Sequence, residues 1–231
     1  MFTHVGPPRS VPLDRASGAS AVARSGGLDA LVALERIGTR RSFARNAEIF
    51  AEGDPATAWY QVVSGAARTC KLLADGRRHI AEFYFSGDCF GLDSAPHRQL
   101  TAEALSDITV IRYPRQATEQ MLDEVPQLAR RLREIALRDL TNAQGRMLLL
   151  GRMTAAERVA TFLLDIFERR DAVRALDLPM SRNDIADYLG LTIETVCRVL
   201  SAFKREGAIA IPNPHRIELL DRAALAAIGD A

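Results

Sequence analysis

The segment LTIETVCRVLSAFKREG at positions 191–207 contains four side chains of different chemistry within five consecutive residues. They are Glu194, Thr195, Cys197 and Arg198. Glu194 and Arg198 are four residues apart, so they share one face of a helix and should orient each other. A guanidinium donates two hydrogen bonds to guanine O6 and N7, and a carboxylate accepts one from cytosine N4. The pattern predicts a surface that reads the edges of DNA base pairs. The alternative is an ordinary solvated ion pair.

The flanking residues predict the two helices that would carry this surface. Ser181 can cap a short helix that runs through Tyr188, and Gly190 supplies a turn. Thr192 then caps a second helix, which has an apolar stripe that should pack on the first. The members of this stripe are Ile193, Val196, Leu200 and Phe203. Because residues 208–220 look like two short strands around a Pro-Asn-Pro turn, we expect a winged helix-turn-helix whose second helix enters the major groove.

Cations and hydroxyl groups around these helices are candidates for contacts with DNA phosphates, which position a protein without specifying a sequence. The candidates are Ser181, Arg182, Thr192, Lys204, Arg205, His215 and Arg216. A local basic footprint of this kind is needed, since the chain has 30 basic against 29 acidic residues and carries no overall field that would attract nucleic acid.

The glycine spacing of the first half of the chain is typical of short antiparallel strands. Gly53, Gly65, Gly76 and Gly87 separate runs rich in aromatic and β-branched residues, such as AWYQVVSG, ARTCKLL, HIAEFYF and ITVIRY. Asp75-Gly76 is a strong hairpin signal. The pattern predicts a β-sandwich or jelly roll.

A long helical stretch is predicted next, at 117–150, and its small and apolar residues recur at intervals of three and four. These residues are Ala129, Leu132, Ala136, Leu140, Ala143, Met147 and Leu150. The near-heptad spacing favours a parallel homodimer, with Leu128, Ile135 and Leu137 packed on the jelly roll. The alternative is a helix that packs only on its own domain. Ala143 lies on this seam and carries no charge that would oppose the pairing of two chains.

These segments predict an α+β chain of 231 residues in four parts. The parts are a disordered tail at 1–27, a jelly-roll effector-like domain at 28–116, a dimerisation helix at 117–150 and a winged helix-turn-helix DNA-binding domain at 151–231. The last part begins with a capping box formed by Thr154 and Glu157. No run approaches twenty apolar residues, so no membrane span is expected. Three scattered cysteines without a C-x-x-C motif suit the cytoplasm and argue against a zinc knuckle or a disulfide framework.

The segment RNDIADYLGLTIETVCRVLSAFKREGAI resembles the recognition region of the CRP/FNR superfamily of bacterial transcription regulators, close to its FNR and FixK branches. The resemblance extends over nearly everything after the tail. It implies a jelly roll of the cyclic-nucleotide-binding type, a dimerisation helix and a winged helix-turn-helix. The E-x-x-S-R pattern of that branch corresponds to Glu194, Cys197 and Arg198, and Cys197 departs from it because serine is usual there.

The same resemblance implies a function and a DNA site. A homodimer would bind a palindrome similar to TTGAT-N4-ATCAA, with Arg198 on guanine and Glu194 on the paired cytosine. The dimer would contact RNA polymerase at promoters, as an activator of genes for microoxic or anaerobic respiration or for nitrogen fixation.

Residues that would bind an effector do not match the sensing members of the superfamily. Leu92 and Leu100 stand where a cyclic-nucleotide pocket needs a carboxylate and a guanidinium, and Arg98 is out of register. Residues 1–69 contain no cysteine, so four thiolates for an iron–sulfur cluster are lacking. The prediction is a FixK-like regulator without a cofactor or metal. A small-ligand, cyclic-nucleotide or haem sensor is the alternative, with His79 and His97 as the histidines concerned.

Cys197 is a candidate redox switch, because an exposed thiol beside a cation is reactive and its oxidation adds bulk near DNA. The alternative is a small inert residue, as expected for Cys70 and Cys89 in their strands. An enzyme is not expected, since His4, His79, His97 and His215 form no His-x-His motif and no phosphate loop or nucleophile elbow is present. A protein-interaction module is a further alternative.

Overall fold

The computed structural model describes Leu34 and residues 36–229. The predicted tail at 1–27 lies outside these residues. The first part of the described chain forms eight strands, which are β1 (Thr39–Phe43), β2 (Glu48–Phe50), β3 (Ala58–Ser64), β4 (Ala67–Leu72), β5 (Arg78–Tyr84), β6 (Cys89–Phe90), β7 (Thr101–Ala104) and β8 (Ile108–Pro114). They form two antiparallel four-stranded sheets, ordered β1-β8-β3-β6 and β2-β7-β4-β5. The predicted jelly roll is confirmed, and the four quoted apolar runs form β3, β4, β5 and β8.

The turns of the roll occur at the glycines that the spacing singled out. Gly76 lies in the β4–β5 hairpin, which pairs Leu72 with Arg78. Gly65 has φ +85°, and a β-carbon there would lie 2.3 Å from the carbonyl oxygen of Asp107. The β3–β4 turn can therefore approach the β7–β8 turn only with a glycine at this position.

The interior of the roll is an aromatic and aliphatic cluster drawn from both sheets. Tyr60 stacks on Phe90 with 5.3 Å between ring centroids, and Phe50 stacks on Tyr60 at 5.6 Å. Val110 on β8 is completely buried beside them. This burial holds the two sheets together, since apolar area removed from water stabilises a fold by roughly 25 cal/mol per Å².

The helical stretch predicted at 117–150 is two helices, α1 (Arg115–Glu124) and α2 (Pro126–Arg152). The single-helix prediction is wrong at Val125, whose φ of −126° and ψ of 83° lie outside the helical region. Pro126 causes the break, because a proline disfavours helical backbone at the residue before it and is itself favoured at the first position of a new helix. The indole of Trp59 on β3 donates a hydrogen bond to Thr118, which fixes α1 against the roll.

The remaining elements form a winged helix-turn-helix, as the sequence predicts. They are α3 (Ala155–Arg169), β9 (Ala175–Asp177), α4 (Arg182–Leu189), α5 (Ile193–Arg205), β10 (Ile209–Asn213), β11 (Arg216–Leu219) and α6 (Arg222–Gly229). The wing is a three-stranded sheet ordered β10-β11-β9. β9 and α6 are not predicted by the sequence patterns above. The capping box of Thr154 and Glu157 is present at the start of α3.

One hydrophobic core is shared by the roll and the winged unit. Phe83 on β5 is fully buried, with its ring 6.2 Å from Phe162 on α3 and 5.0 Å from Tyr188 on α4. Burial of these rings attaches α4 to the outer face of the second sheet. Among the described residues, no helix is both long and apolar enough to cross a membrane.

Candidate nucleic-acid interface

Local capping interactions set the geometry of the helix-turn-helix. The Ser181 hydroxyl accepts a hydrogen bond from the Asp184 amide, and the Asp184 carboxylate accepts one from the Ser181 amide, which completes a capping box at α4. Gly190 ends α4 in the left-handed conformation with φ +62°. Thr192 then caps α5 by accepting a hydrogen bond from the Thr195 amide. The three predicted roles of Ser181, Gly190 and Thr192 are confirmed.

The apolar stripe of α5 faces the core at three of its four predicted positions. Val196, Leu200 and Phe203 are buried, and they pack with residues of α3 and α4. Ile193 is 39% exposed, so its predicted burial is wrong. Ile193 is the first residue of α5, and the buried stripe begins one turn later.

The predicted base-reading residues lie on the outer side of α5. Glu194, Cys197 and Arg198 are exposed, and Thr195 is half-buried. In the described part of the chain no ion pair joins Glu194 to Arg198, so the expectation that they orient each other is wrong for the free protein. The carboxylate instead turns to the helix N-terminus, where its own backbone amide and the Thr192 hydroxyl lower the pKa of Glu194.

The predicted phosphate contacts divide into free and engaged side chains. Lys204, Arg205 and His215 are exposed and border the outer side of α5 and the wing. Thr192 is exposed as well, but its hydroxyl is engaged as the cap of α5. The Ser181 hydroxyl is already bonded to Asp184, with 2.8 Å to its carboxylate oxygen. Arg216 pairs with Asp177 at 3.1 Å. Arg182 is half-buried, and burial lowers the pKa of its guanidinium.

A buried ion cluster, which the sequence patterns do not reveal, ties α4 to the roll. Asp184 accepts hydrogen bonds from Arg68 on β4 and from Arg78 on β5, each at 2.6 Å. Arg78 also pairs with Asp187 at 2.8 Å. The S-x-x-D spacing of Ser181 and Asp184 could have revealed the cap. It could not have revealed the two arginines more than a hundred positions away.

A second cluster joins the roll to both α2 and α3. Glu82 on β5 pairs with Arg146 of α2 at 2.6 Å and with Arg169 of α3 at 3.1 Å. Arg169 also reaches Asp88 at 3.0 Å. The two clusters of ion pairs therefore hold the winged unit to the roll, in addition to the shared hydrophobic core.

The residues predicted for the dimer seam differ in burial along α2. Leu132 and Leu150 pack partly against hydrophobic clusters of their own chain. Leu140 and Met147 are 55% and 74% exposed. Among the other seam positions Ala136 is exposed, and Ala129 and Ala143 are half-buried.

The side of α2 that was expected to pack on the roll also differs in part from its prediction. Leu128 is fully buried and Ile135 is half-buried, but Leu137 is 57% exposed. Leu148 is exposed as well, at 70%. The exposed apolar face of α2 therefore consists of Leu137, Leu140, Met147 and Leu148.

Comparison with known proteins matches both halves of this architecture. Residues 40–125 match the cyclic nucleotide-binding domain, and residues 157–228 match the Crp-like helix-turn-helix domain. The nitrogen fixation regulation protein FixK of Azorhizobium caulinodans is 44% identical to this chain over 82% of it and 78% of the relative. The chain belongs to the CRP/FNR family. The family indicated by the sequence is thereby confirmed, as are the jelly-roll fold and the role as a DNA-binding transcription regulator.

Two further members of the CRP/FNR family show the breadth of the similarity. The transcriptional activator protein FnrL of Cereibacter sphaeroides is 37% identical over 84% of this chain and 82% of that protein. The solved structure of FixK2 from Bradyrhizobium japonicum superposes with a TM-score of 0.81 at 44% identity, and it covers 84% of this chain and 98% of its own.

The interior of this family member's roll does not fit a cyclic nucleotide. The buried guanidinium of Arg98 is already bound to the Asp93 carboxylate at 2.6 Å and to the carbonyl oxygens of Gly91 and Ala58. It also lies over the Phe50 ring, with 4.0 Å to the centroid. A phosphate would have to displace Asp93 and then approach the freed carboxylate, which repels it. In the described residues, no group of three or more metal-ligating side chains is found.

Proposed function

We propose that this chain is a FixK-like transcription activator that works as a homodimer on a palindrome similar to TTGAT-N4-ATCAA. The observation that carries the proposal is the exposed pair of Glu194 and Arg198 on the first turns of α5, with neither side chain bound to the other. Arg198 can approach base edges directly, and Glu194 can do so once its carboxylate leaves the helix N-terminus. A guanidinium and a carboxylate together distinguish a G·C pair from the other three pairs.

Base reading is assigned to Arg198 on guanine, Glu194 on the paired cytosine, and Thr195 and Cys197 beside them. Phosphate contacts are assigned first to the exposed residues Lys204, Arg205 and His215. The engaged residues Ser181, Thr192 and Arg216 need a rearrangement before they could contribute, and Arg182 is partly buried. Because counterion release follows positive charge, Lys204 and Arg205 supply most of the salt-dependent affinity.

Dimerisation is assigned to the exposed apolar face of α2. Leu137 and Leu140 leave one apolar patch in water and Met147 and Leu148 leave another on the same side of α2, with Thr141 and Gln144 between them. A second copy of the helix would cover both patches. Two α5 helices would then enter successive major grooves about 34 Å apart, one turn of DNA. This face keeps Leu140 and Met147 of the predicted seam and differs from it at Leu132 and Leu150, which pack partly against their own chain.

The biological role follows from the relatives, which are named as regulators of nitrogen fixation and as transcriptional activators. We assign this chain to the control of nitrogen fixation or of microoxic or anaerobic respiration, acting in the cytoplasm through contacts with RNA polymerase and without enzymatic activity. The pairing of Arg98 with Asp93 supports a regulator whose roll needs no cyclic nucleotide.

Genome-wide mapping of bound fragments tests the proposal. The expected result is enrichment of a two-fold symmetric motif of the TTGAT-N4-ATCAA type upstream of promoters, with the same affinity when cyclic nucleotides are added to the purified protein. Enrichment of no palindrome, or binding that depends on an added cyclic nucleotide, would contradict it.

A further inference from the structure

The side chain of Arg158 binds three backbone carbonyl oxygens where α2 meets the helix-turn-helix. Its Nη2 donates to Leu150 at 2.8 Å and its Nε to Met153 at 2.9 Å. Its Nη1 donates to Leu189 at 3.0 Å. Leu150 and Met153 lie at the C-terminal end of α2, and Leu189 is the last residue of α4. One guanidinium thus joins the ends of two helices that are not consecutive in the chain.

The chemistry of these three acceptors suits an arginine. The last carbonyl groups of a helix have no partner within the helix and carry the negative end of its dipole. A guanidinium has five donors in a rigid planar fork and stays charged, so it can bind several carbonyls in fixed directions. A lysine has a single point of charge and cannot span the same three oxygens.

The arginine lies directly under the turn that orients the recognition helix. Leu189 precedes Gly190, and a β-carbon at Gly190 would lie 3.6 Å from the Leu150 side chain and 3.8 Å from Arg158 Nη1. α5 begins three residues after the turn, at Ile193. This contact therefore links the end of α2 directly to the turn from which α5 departs.

We infer that Arg158 is a positioning residue that fixes α5 relative to α2 and thereby selects the spacing between the two half-sites that the dimer accepts. The inference rests on the proposed dimer, in which α2 carries the symmetry axis and each α5 reads one half-site. One additional base pair moves the second half-site by about 3.4 Å and rotates it by about 35° around the DNA axis. A rigid junction rejects that change, and a loosened junction tolerates it.

The test compares palindromes whose spacer is one base pair shorter than, equal to, or one longer than the preferred spacer. Binding is measured by competition for wild type, Arg158→Gln, Arg158→Lys and the control Arg152→Gln. Arg152 is an exposed cation at the same end of α2. The wild type and the control should bind palindromes with either altered spacer more weakly than the palindrome with the preferred spacer, and the ratio of the two affinities is the penalty. Arg158→Gln should reduce that penalty roughly threefold to thirtyfold, and Arg158→Lys should reduce it less.

Two readouts separate this role from a purely structural one. The ratio of affinities for two spacers is measured on one preparation, so it does not depend on the fraction of protein that is folded. Affinity for an isolated half-site should be unchanged in the variants. If Arg158→Gln weakens all spacers equally, the positioning role is overturned, and Arg158→Lys carries the same test if the glutamine variant does not fold. A wild type indifferent to spacing would overturn the proposed palindromic dimer itself, and with it this inference.

Discussion

The Asp184 carboxylate on α4 lies 2.6 Å from the Arg68 guanidinium on β4, and both side chains are at least nine-tenths buried. The first helix of the helix-turn-helix is therefore tied to the effector-like roll by a buried charge pair. Removal of one member of such a pair leaves the other uncompensated in a medium of low dielectric constant, which costs more than the pair contributes.

We expect Asp184→Asn to lower the free energy of unfolding by roughly 2–4 kcal/mol, because Arg68 and Arg78 lose a shared carboxylate while an oxygen acceptor remains for the Ser181 cap. Urea denaturation measures the change. The matched control is Glu119→Gln, which breaks an exposed pair with Arg115 and should cost below about 0.5 kcal/mol. Equal effects of the two substitutions would contradict a stabilising role for the buried pair.

Substitution of Arg198 should change sequence preference. Arg198→Ala is expected to cost roughly 1–3 kcal/mol per half-site on the preferred palindrome and to flatten discrimination at one base pair, since a bidentate contact with guanine is lost. Fluorescence anisotropy with duplexes substituted one base pair at a time measures both effects. Retention of the full preference by the variant would show that the reading face is misassigned.

Substitution of Lys204 should change affinity without changing preference. Lys204→Ala is expected to weaken all duplexes alike and to reduce the slope of log affinity against log salt by about one, because one phosphate contact releases about one counterion. Titration at several salt concentrations measures the slope. A base-dependent loss for Lys204→Ala would move that residue from phosphate to base contact.

If the exposed apolar face of α2 forms the dimer interface, a charge placed on it should favour the monomer. A carboxylate buried in the dimer interface would cost about 3 kcal/mol or more, so Leu148→Asp should shift the protein toward monomer in analytical ultracentrifugation and weaken palindrome binding. Val173→Asp is the control, since Val173 is 90% exposed on the loop after α3. Persistence of the dimer in Leu148→Asp, with dissociation in Leu132→Asp, would place the interface on the Leu132 and Leu150 edge of the predicted seam instead.

The three cysteines should differ in reactivity. Burial raises the pKa of Cys70 to about 11 and that of Cys89 to about 12, whereas Cys197 is exposed. A thiol with a raised pKa gains thiolate only as the pH approaches that value, so at pH 8 about one in a thousand Cys70 side chains is ionised. We expect iodoacetamide to modify Cys197 first, with Cys70 and Cys89 following only at higher pH, as read by peptide mass spectrometry.

The redox hypothesis for Cys197 has a separate test. Peroxide should weaken DNA binding of the wild type in gel-shift assays and leave Cys197→Ser unaffected, because oxidation of an exposed thiol beside the groove adds bulk and, at the sulfinic stage, negative charge. An identical response of the two proteins would refute the switch.

Features that depend on residues a few positions apart are determined by the sequence alone. The cap at Thr192, the turn at Gly190, the hairpin at Gly76 and the outward direction of Arg198 each follow from hydrogen bonds or periodicity within one or two turns of chain. The break at Val125 is of the same kind, since the restriction imposed by Pro126 acts on its immediate neighbour.

Features that depend on which surfaces pack together were decided only by the tertiary structure. The partners of Asp184 are remote in sequence, and the side of α2 left in water is known only after the roll has covered Leu128 and Leu132. The same holds for Arg158, whose three carbonyl partners come from two helices. The physical reason is that long-range ion pairs and burial are set by the docking of whole elements, which periodicity within a single element does not encode.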